Sequence, residues 1–172
     1  MLDGRVDFYL DDERAAQFLH GICLQYVRTK KRREALRALK RNPVAGADLR
    51  RAGNLLSQIL ALNMGWSLYR DRKLFRLALI DSGTEVPFIT GDQPIINLHA
   101  RFGEGLTEKV AFYYPLSPRR AMLLLEASNP QIPSVRVAEV QRLNALIVRN
   151  SYEQVFSNSR EYLETLKTIP RE

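Results

Sequence analysis

Residues 86–94 read VPFITGDQP. An apolar run, Val86-Pro87-Phe88-Ile89, climbs to Thr90-Gly91-Asp92-Gln93-Pro94, and apolar residues resume at Ile95-Ile96. Gly, Asp and Pro between two apolar runs are turn residues, each for its own reason. Glycine tolerates positive φ, aspartate accepts nearby backbone N–H groups, and proline presets φ. The stretch therefore reads as two buried strands, 86–90 and 95–98, joined by a tight turn with one carboxylate at its crest. This reading decides the class of fold, because strand-like runs continue beyond it and helical patterns lie before it.

Beyond it, 110–114 and 121–126 are further strand-like runs, set off by Gly103-Glu104-Gly105 and by Pro115-Leu116-Ser117-Pro118. Before it, the apolar run 73–81 is stopped by Ser82-Gly83. Together these predict an antiparallel sheet of about five strands. On the N-terminal side, Ala15, Leu19, Ile22 and Tyr26 fall on one helical face, widened by Phe18 and Cys23. That helix is expected over about 11–40 with a break near Arg28, ended by Asn42-Pro43 and Gly46. Asp48 would cap a second helix whose face is Leu49, Ala52, Leu56, Ile59 and Asn63, flanked by Leu55, Leu60 and Leu62, fading near Gly65-Trp66.

After the strands, Pro130 and Pro133 precede a third helix capped by Ser134, with Val137, Val140, Asn144 and Ile147 on one face. A short strand over 154–156 is read as joining the sheet, and Asn158 with Glu161 resembles a capping box for a last helix to about Thr168. There are no repeats, low-complexity tracts or linkers. The expected class is α+β: two N-terminal helices, an antiparallel sheet of about five strands, then one or two C-terminal helices. One domain is expected over 1–172, helical over about 10–66, sheet over about 73–126 and helical again over about 134–168.

Composition narrows the functional classes. The chain has 172 residues, 45% of them apolar and 26% charged, enough to bury a real core. Cys23 is the only cysteine, so no intrachain disulfide can form, and a reducing, cytoplasmic setting is the simplest expectation. The first twenty residues carry Asp3, Asp7, Asp11, Asp12 and Glu13 without a long apolar run, unlike a signal peptide. Runs such as Met122-Leu123-Leu124-Leu125 fall far short of the roughly 18 residues that span a bilayer, so no membrane partner is expected. The net charge of +7 is uneven. Residues 1–76 hold 16 Lys and Arg against 8 Asp and Glu, whereas residues 77–172 hold 10 against 11. A basic N-terminal half suits phosphate backbones, and equally a solvated helix surface.

Four fragments carry a resemblance. They are Gln25-Tyr26-Val27-Arg28-Thr29, then Pro87-Phe88-Ile89-Thr90-Gly91-Asp92-Gln93-Pro94, then Tyr114-Pro115-Leu116-Ser117-Pro118, and Asn144 followed by Val155-Phe156-Ser157. In order and spacing, over about 17–160, they resemble the uncharacterised bacterial family called domain of unknown function 4238. Its members carry an Arg-Thr on a helix, a Phe-Ile-Thr-Ser-Asp-Asn-Pro-like turn, a Pro-Leu-Ser-Pro, an Asn and a Phe-Ser. Gly91 stands where the family usually has Ser, and Gln93 where it usually has Asn. Family members usually begin with a further segment bearing a His-x-x-Pro element and a Tyr-Leu, and this chain starts after it. The resemblance then implies a shortened variant or an internally placed start, and an inactive chain if the family's chemistry uses that histidine. It implies positions to watch and no reaction: Arg28, Thr29, Thr90, Asp92, Ser117 and Asn144 as ligand-binding candidates, with Asp92 the catalytic candidate.

The residues themselves leave alternatives open. Asp92 can be a turn residue, or a rigid carboxylate for a metal, a proton or a ribose hydroxyl; such chemistry needs partners. Arg28 adjoins the apolar helix face and can pair with a buried acid, Asp92 being the obvious one, or hold a phosphate. Lys30-Lys31-Arg32-Arg33 reads as a solvated run. His20 and Cys23 sit three apart, but only His99 could join them, short of the four ligands of a structural zinc site. Asp71-Arg72-Lys73 fits the acid-x-Lys step of some nucleases only at the level of chance. Trp66, Tyr113 and Tyr114 can stack on bases but read as core. There is no Gly-rich phosphate loop, no G-x-S-x-G and no recognisable acid–His pair, and no motif names a cofactor. The expected function is binding of a phosphate-bearing ligand or nucleic acid through the basic helix and a site near Asp92. The alternative is a non-enzymatic interaction or regulatory domain, or an inactive remnant of a longer protein.

Overall fold

The computed structural model describes residues 5–38, 49–100, 109–128 and 135–171, with side chains described outside 35–38 and 49–53. Helix α1 spans Asp12–Val27. Asp11 starts it, extended and accepting the Arg14 N–H at 2.9 Å. Ala15, Leu19, Ile22, Cys23 and Tyr26 are buried along it, as their spacing predicts. Burial pushes the Cys23 thiol up to about 12, so it stays protonated at neutral pH. The expected break falls at Arg28 and Thr29, and the chain resumes as α2, Lys30–Ala38. The expected stop at Asn42-Pro43 and Gly46, and the Asp48 cap, lie outside the described residues.

Helix α3 runs Leu49–Arg70, through Gly65-Trp66 rather than fading there. Its buried face is also rotated from the expected one. Ser57, Ala61, Gly65 and Leu68 are buried, whereas Ile59 and Asn63 are exposed. Small residues face inward because α3 lies directly against α1: a Cβ at Gly65 would stand 3.0 Å from His20 Cα. A leucine face would hold the two backbones apart; this one lets them touch.

After α3 come strands β1 (Phe75–Asp81), β2 (Thr90–Gly91), β3 (Ile96–Asn97), β4 (Phe112–Ser117) and β5 (Arg120–Glu126), helix α4 (Val137–Asn150), strand β6 (Val155–Phe156) and helix α5 (Arg160–Leu166). The class is α+β, but the strands divide into two sheets. Four form an antiparallel sheet in the order β1-β5-β4-β3, and β2 pairs with β6 in a separate ribbon. The expected hairpin over 86–98 does not form, because its backbone groups have other partners. The Phe88 N–H donates to Pro118 O at 2.9 Å and the Ile89 N–H to Asn144 Oδ1 at 3.1 Å. Thr90 pairs with Phe156, while Ile96 pairs with Tyr113.

The four-stranded sheet is buried on both faces, which explains the unbroken Met122–Leu125 run. Met122 and Leu124 join Leu77 and Phe112 in the cluster with α1 and α3. Ala121, Leu123 and Leu125 join Tyr113 in the cluster with Val140, Leu143 and Ile147 of α4. Tyr113 is therefore wholly buried and unable to stack on bases, whereas Trp66 is exposed and lies 5.7 Å from the Tyr69 ring. Pro115 sits at a register shift in β4, beyond the two residues that β3 covers, where a missing N–H costs the ladder nothing. The last helix is capped one residue later than expected: Ser159, not Asn158, accepts the Tyr162 N–H at 3.2 Å. Helix α4 starts after an extended Arg136 without a side-chain cap, and the expected Ser134 cap lies outside the described residues.

Candidate functional site

Asp92 follows β2 directly, and its carboxylate reaches the loop between α4 and β6. Oδ1 accepts the Tyr152 N–H at 2.8 Å, and Oδ2 accepts those of Glu153 at 2.6 Å and Gln154 at 3.2 Å. Three successive amides converge on one carboxylate, and the Asp92 N–H returns a bond to Gln154 O at 3.1 Å. The acid thus builds a turn, but one distant in sequence rather than its own. Asp92→Ala is expected to lower stability by about 1–3 kcal/mol in urea denaturation, because three amides lose a charged acceptor and fall back on water. Asp92→Asn, which keeps one carbonyl oxygen, is expected to fall between. An alanine variant as stable as the wild type would deny this role.

Gly91 is needed for space, not for positive φ. A Cβ there would lie 2.0 Å from Ser151 Oγ and 3.0 Å from Gln154 O. Ser151 is buried and its hydroxyl donates to Ile147 O at 2.8 Å, closing the last turn of α4. Glycine at 91 is therefore required by this chain's own Ser151. Gln93 is buried too. It accepts the Thr29 hydroxyl on Oε1 and donates from Nε2 to Ile95 O at 2.9 Å and Tyr26 O at 3.3 Å. The break between α1 and α2 is thus pinned to the turn of residues 91–94.

The basic run is only partly a solvated face. Lys31 is buried, with Nζ donating to Asn150 O at 3.0 Å and Arg149 O at 3.3 Å. It sits where the α4 dipole and its unpaired carbonyls are negative. Lys30 ion-pairs with Glu153 and lies 5.1 Å from the Tyr152 ring centroid; the Glu153 partner raises its pKa. Arg32 bonds the Tyr26 hydroxyl and stacks on that ring at 4.4 Å. Arg28 does not meet Asp92: it is exposed, and among the described residues no acid lies within ion-pair distance of it. The expected pair fails because both Asp92 oxygens already face loop amides. Arg33 and Arg149 are exposed as well, and Arg171 donates to Glu153 O at 2.7 Å. Tethers between α2, the end of α4 and the 151–154 loop thus gather a basic surface around an exposed tyrosine, Tyr152.

At the other end of the β2–β6 ribbon lies a cleft of about 230 Å³. Thr90, Pro115 to Pro118 and Phe156 to Asn158 line it, with Phe88 and Ile89. Three of the four family-like fragments meet here, although they lie far apart in sequence. Ser117 Oγ accepts the N–H groups of Arg119 at 3.3 Å and Arg120 at 3.0 Å, and its proton remains free to donate. A second cavity of about 370 Å³ adjoins it at Asn158, with Arg119, Glu85 and Glu161 in its wall. Asn144 lies beneath, wholly buried, and faces neither cavity. It accepts the Ile89 N–H and donates to Pro87 O at 2.8 Å and the Tyr162 hydroxyl at 3.0 Å.

The six candidate residues therefore part into three groups. Thr90 and Ser117 face the cleft, Arg28 lies on the basic surface, and Thr29, Asp92 and Asn144 hold the scaffold between. Sequence reasoning missed Lys31 and Ser151, since neither a lysine within a basic run nor a serine after a helix carries a signal of burial. Asp81, eleven residues before Asp92, pairs with Arg120, whose hydrogen bonds hold its carboxyl below the usual range. Asp71 of the acid-x-Lys step pairs with Arg70 at 3.1 Å, and Arg72 with Asp12.

A family model described as "Protein of unknown function (DUF4238)" matches residues 1–161. No curated protein and no solved structure matches the chain. The match spans most of the chain, including Asp92, the loop amides of 152–154 that it holds, and every residue of the cleft.

Proposed function

We propose, taking as premise that the chain belongs to the DUF4238 family, that it binds a phosphate-bearing polyanion, nucleic acid in the first place, in the cytoplasm. The observation that carries this is the basic surface at the α1–α2 break. Arg28, Lys30, Arg33, Arg149 and Arg171 come from three chain segments that Asp92, Gln93 and Lys31 tie together. Arg28 has no acid partner among the described residues, and Tyr152 offers an exposed ring among these cations. Cations beside an exposed aromatic are what a single strand needs: charge along its backbone and a face for a base. Asp92 acts here as a positioning residue that shapes the loop bearing Tyr152. Thr90 in the cleft is two residues from Asp92, within about 7 Å along one strand, so a ligand held by the basic rim can extend toward the hydroxyls of Thr90 and Ser117.

The test is binding of a labelled single-stranded oligonucleotide as a function of salt. The wild type is expected to bind with an affinity that falls steeply as salt rises. The variant Arg28→Ala/Arg33→Ala/Arg149→Ala is expected to lose about 2 from the log–log slope, since each phosphate contact contributes about 0.7 for a single strand. The control Arg14→Ala/Lys73→Ala/Arg136→Ala removes equal charge elsewhere; Arg14 lies about 21 Å along α1 from Arg28. Equal losses in the two variants would reduce the effect to net charge and defeat the proposal. A second reading, an interaction domain, is favoured by a different observation on α3.

A further inference from the structure

Helix α3 carries no charged residue over 52–69, between Arg51 and Arg70. Its small residues take the inner face against α1, so its large apolar ones turn outward. Leu55 is 59% exposed, Ile59 44%, Leu62 55% and Trp66 65%. Leu55, Ile59, Leu62 and Trp66 are spaced four, three and four apart, the seam of a helix that pairs with another helix. A helix lying on a protein surface ordinarily covers its outer face with Lys, Glu and Arg. This one offers Asn54, Gln58, Asn63 and Ser67 instead, and no charge.

We propose that this face is the two-fold interface of a homodimer, in which α3 packs on α3 of a second copy. Two features favour a second copy over an unrelated partner. A chain of net charge +7 repels its own copy wherever its charges meet, and residues 52–69 carry none. A two-fold axis also places the same patch on both sides, so an apolar, uncharged stripe is complementary to itself without any matching charge. The area is of the right order. The four exposed seam residues present about 450 Å² per chain, taking roughly 180–250 Å² for each whole residue. Pairing them removes about 900 Å², and the polar flanks of the stripe supply the remainder of the roughly 1,000 Å² that a specific interface needs. A patch of that size lies in the upper part of the roughly 300–600 Å² range of the largest patch on a typical monomer, and such patches often serve function. The seam places Ile59 and Leu62 at its centre.

Sedimentation equilibrium of the full chain across the micromolar range tests this. The wild type is expected at twice its 19.8 kDa, and Leu62→Glu/Trp66→Glu at 19.8 kDa with unchanged helical circular dichroism. Both side chains are exposed in the single chain, so the charges disturb the pairing and not the core. If that variant fails to fold, Leu62→Cys serves in its place. Two such chains are expected to crosslink with a short bismaleimide, while a cysteine introduced at Arg136 is not; the native Cys23 is buried and protonated. A wild type that stays at 19.8 kDa throughout overturns the proposal. So does a dimer that survives both glutamates, or crosslinking equal at the two cysteine positions. A monomer that instead co-purifies with a different protein through α3 would also overturn it.

Discussion

Gly91→Ala is expected to cost about 3 kcal/mol or more in urea denaturation, placing it among the most damaging single-methyl additions available in this chain. The added Cβ would stand 2.0 Å from Ser151 Oγ, which is buried and committed to Ile147 O at 2.8 Å. The hydroxyl can turn aside only by giving up that bond, and the two chain segments themselves are held in place. Ser151 is fixed by its own backbone, whose N–H also closes α4 on Ile147 O at 2.9 Å. Gly91 is fixed by its pairing with Val155 in the β2–β6 ribbon. A second substitution separates this cause from a general intolerance of the turn. In the Ser151→Ala background the hydroxyl is gone, and the remaining contacts are 3.2 Å to the Ser151 Cβ and 3.0 Å to Gln154 O. Gly91→Ala is then expected to cost about half as much, a coupling of about 1–2 kcal/mol in the double-mutant cycle. Additive losses would place the strain elsewhere.

Asn144→Leu is expected to be as severe, at about 3–5 kcal/mol. Leucine matches asparagine roughly in size and opens no cavity, so the loss isolates the polar contacts. Three groups would be left without their partner: the Ile89 N–H, the Pro87 carbonyl and the Tyr162 hydroxyl. Asn144 has no exposed surface, so the Ile89 and Pro87 groups have little access to water in compensation. Asn144→Asp is the informative companion. Its carboxyl can still accept the Ile89 N–H, but it can donate to Pro87 O only when protonated. Burial beside a carbonyl raises the folded pKa above the unfolded value of about 3.9. The native state then binds the extra proton, so stability is present below about pH 4 and is lost as pH rises through the folded pKa. Chemical denaturation at pH 4 and pH 8 checks the sign. A variant more stable at pH 8 would contradict the hydrogen-bond assignment.

These two residues show what holds the molecule together around the candidate site. The β2 strand is only Thr90–Gly91, and a two-residue ladder carries little stability by itself. Its position is set by side chains instead: Asn144 beneath 87–89, Asp92 on the loop amides, and Gln93 on the α1–α2 break. That is why a change at any of them is expected to move both the cleft and the basic surface.

Much of this was legible before the structure. The apolar spacing of Ala15, Leu19, Ile22 and Tyr26 marked α1, because a helix with one buried side must repeat near 3.6 residues. The break at Arg28 and the α+β order were equally readable, and three of the four family-like fragments supply residues that line the cleft. The α3 face was not. Leu55, Ile59 and Leu62 were read as inward or flanking, on the rule that large apolar residues lie inside. Close approach to α1 at Gly65 reversed the rule, since small residues won the inner face. The hairpin reading failed for a related reason. Turn chemistry says that a chain reverses, and not which strand it then meets.

By itself, then, the sequence determined the local elements, their order and the uneven charge, all of which depend on residues near one another in the chain. Only the tertiary structure decided partners. Asp92 reaches amides 60 to 62 residues away, and Lys31 reaches carbonyls 118 and 119 residues away. Hydrogen bonds of such range leave no periodicity behind them. They exist because burial forces each polar group to find a partner, and which one it finds depends on the packing of the whole chain.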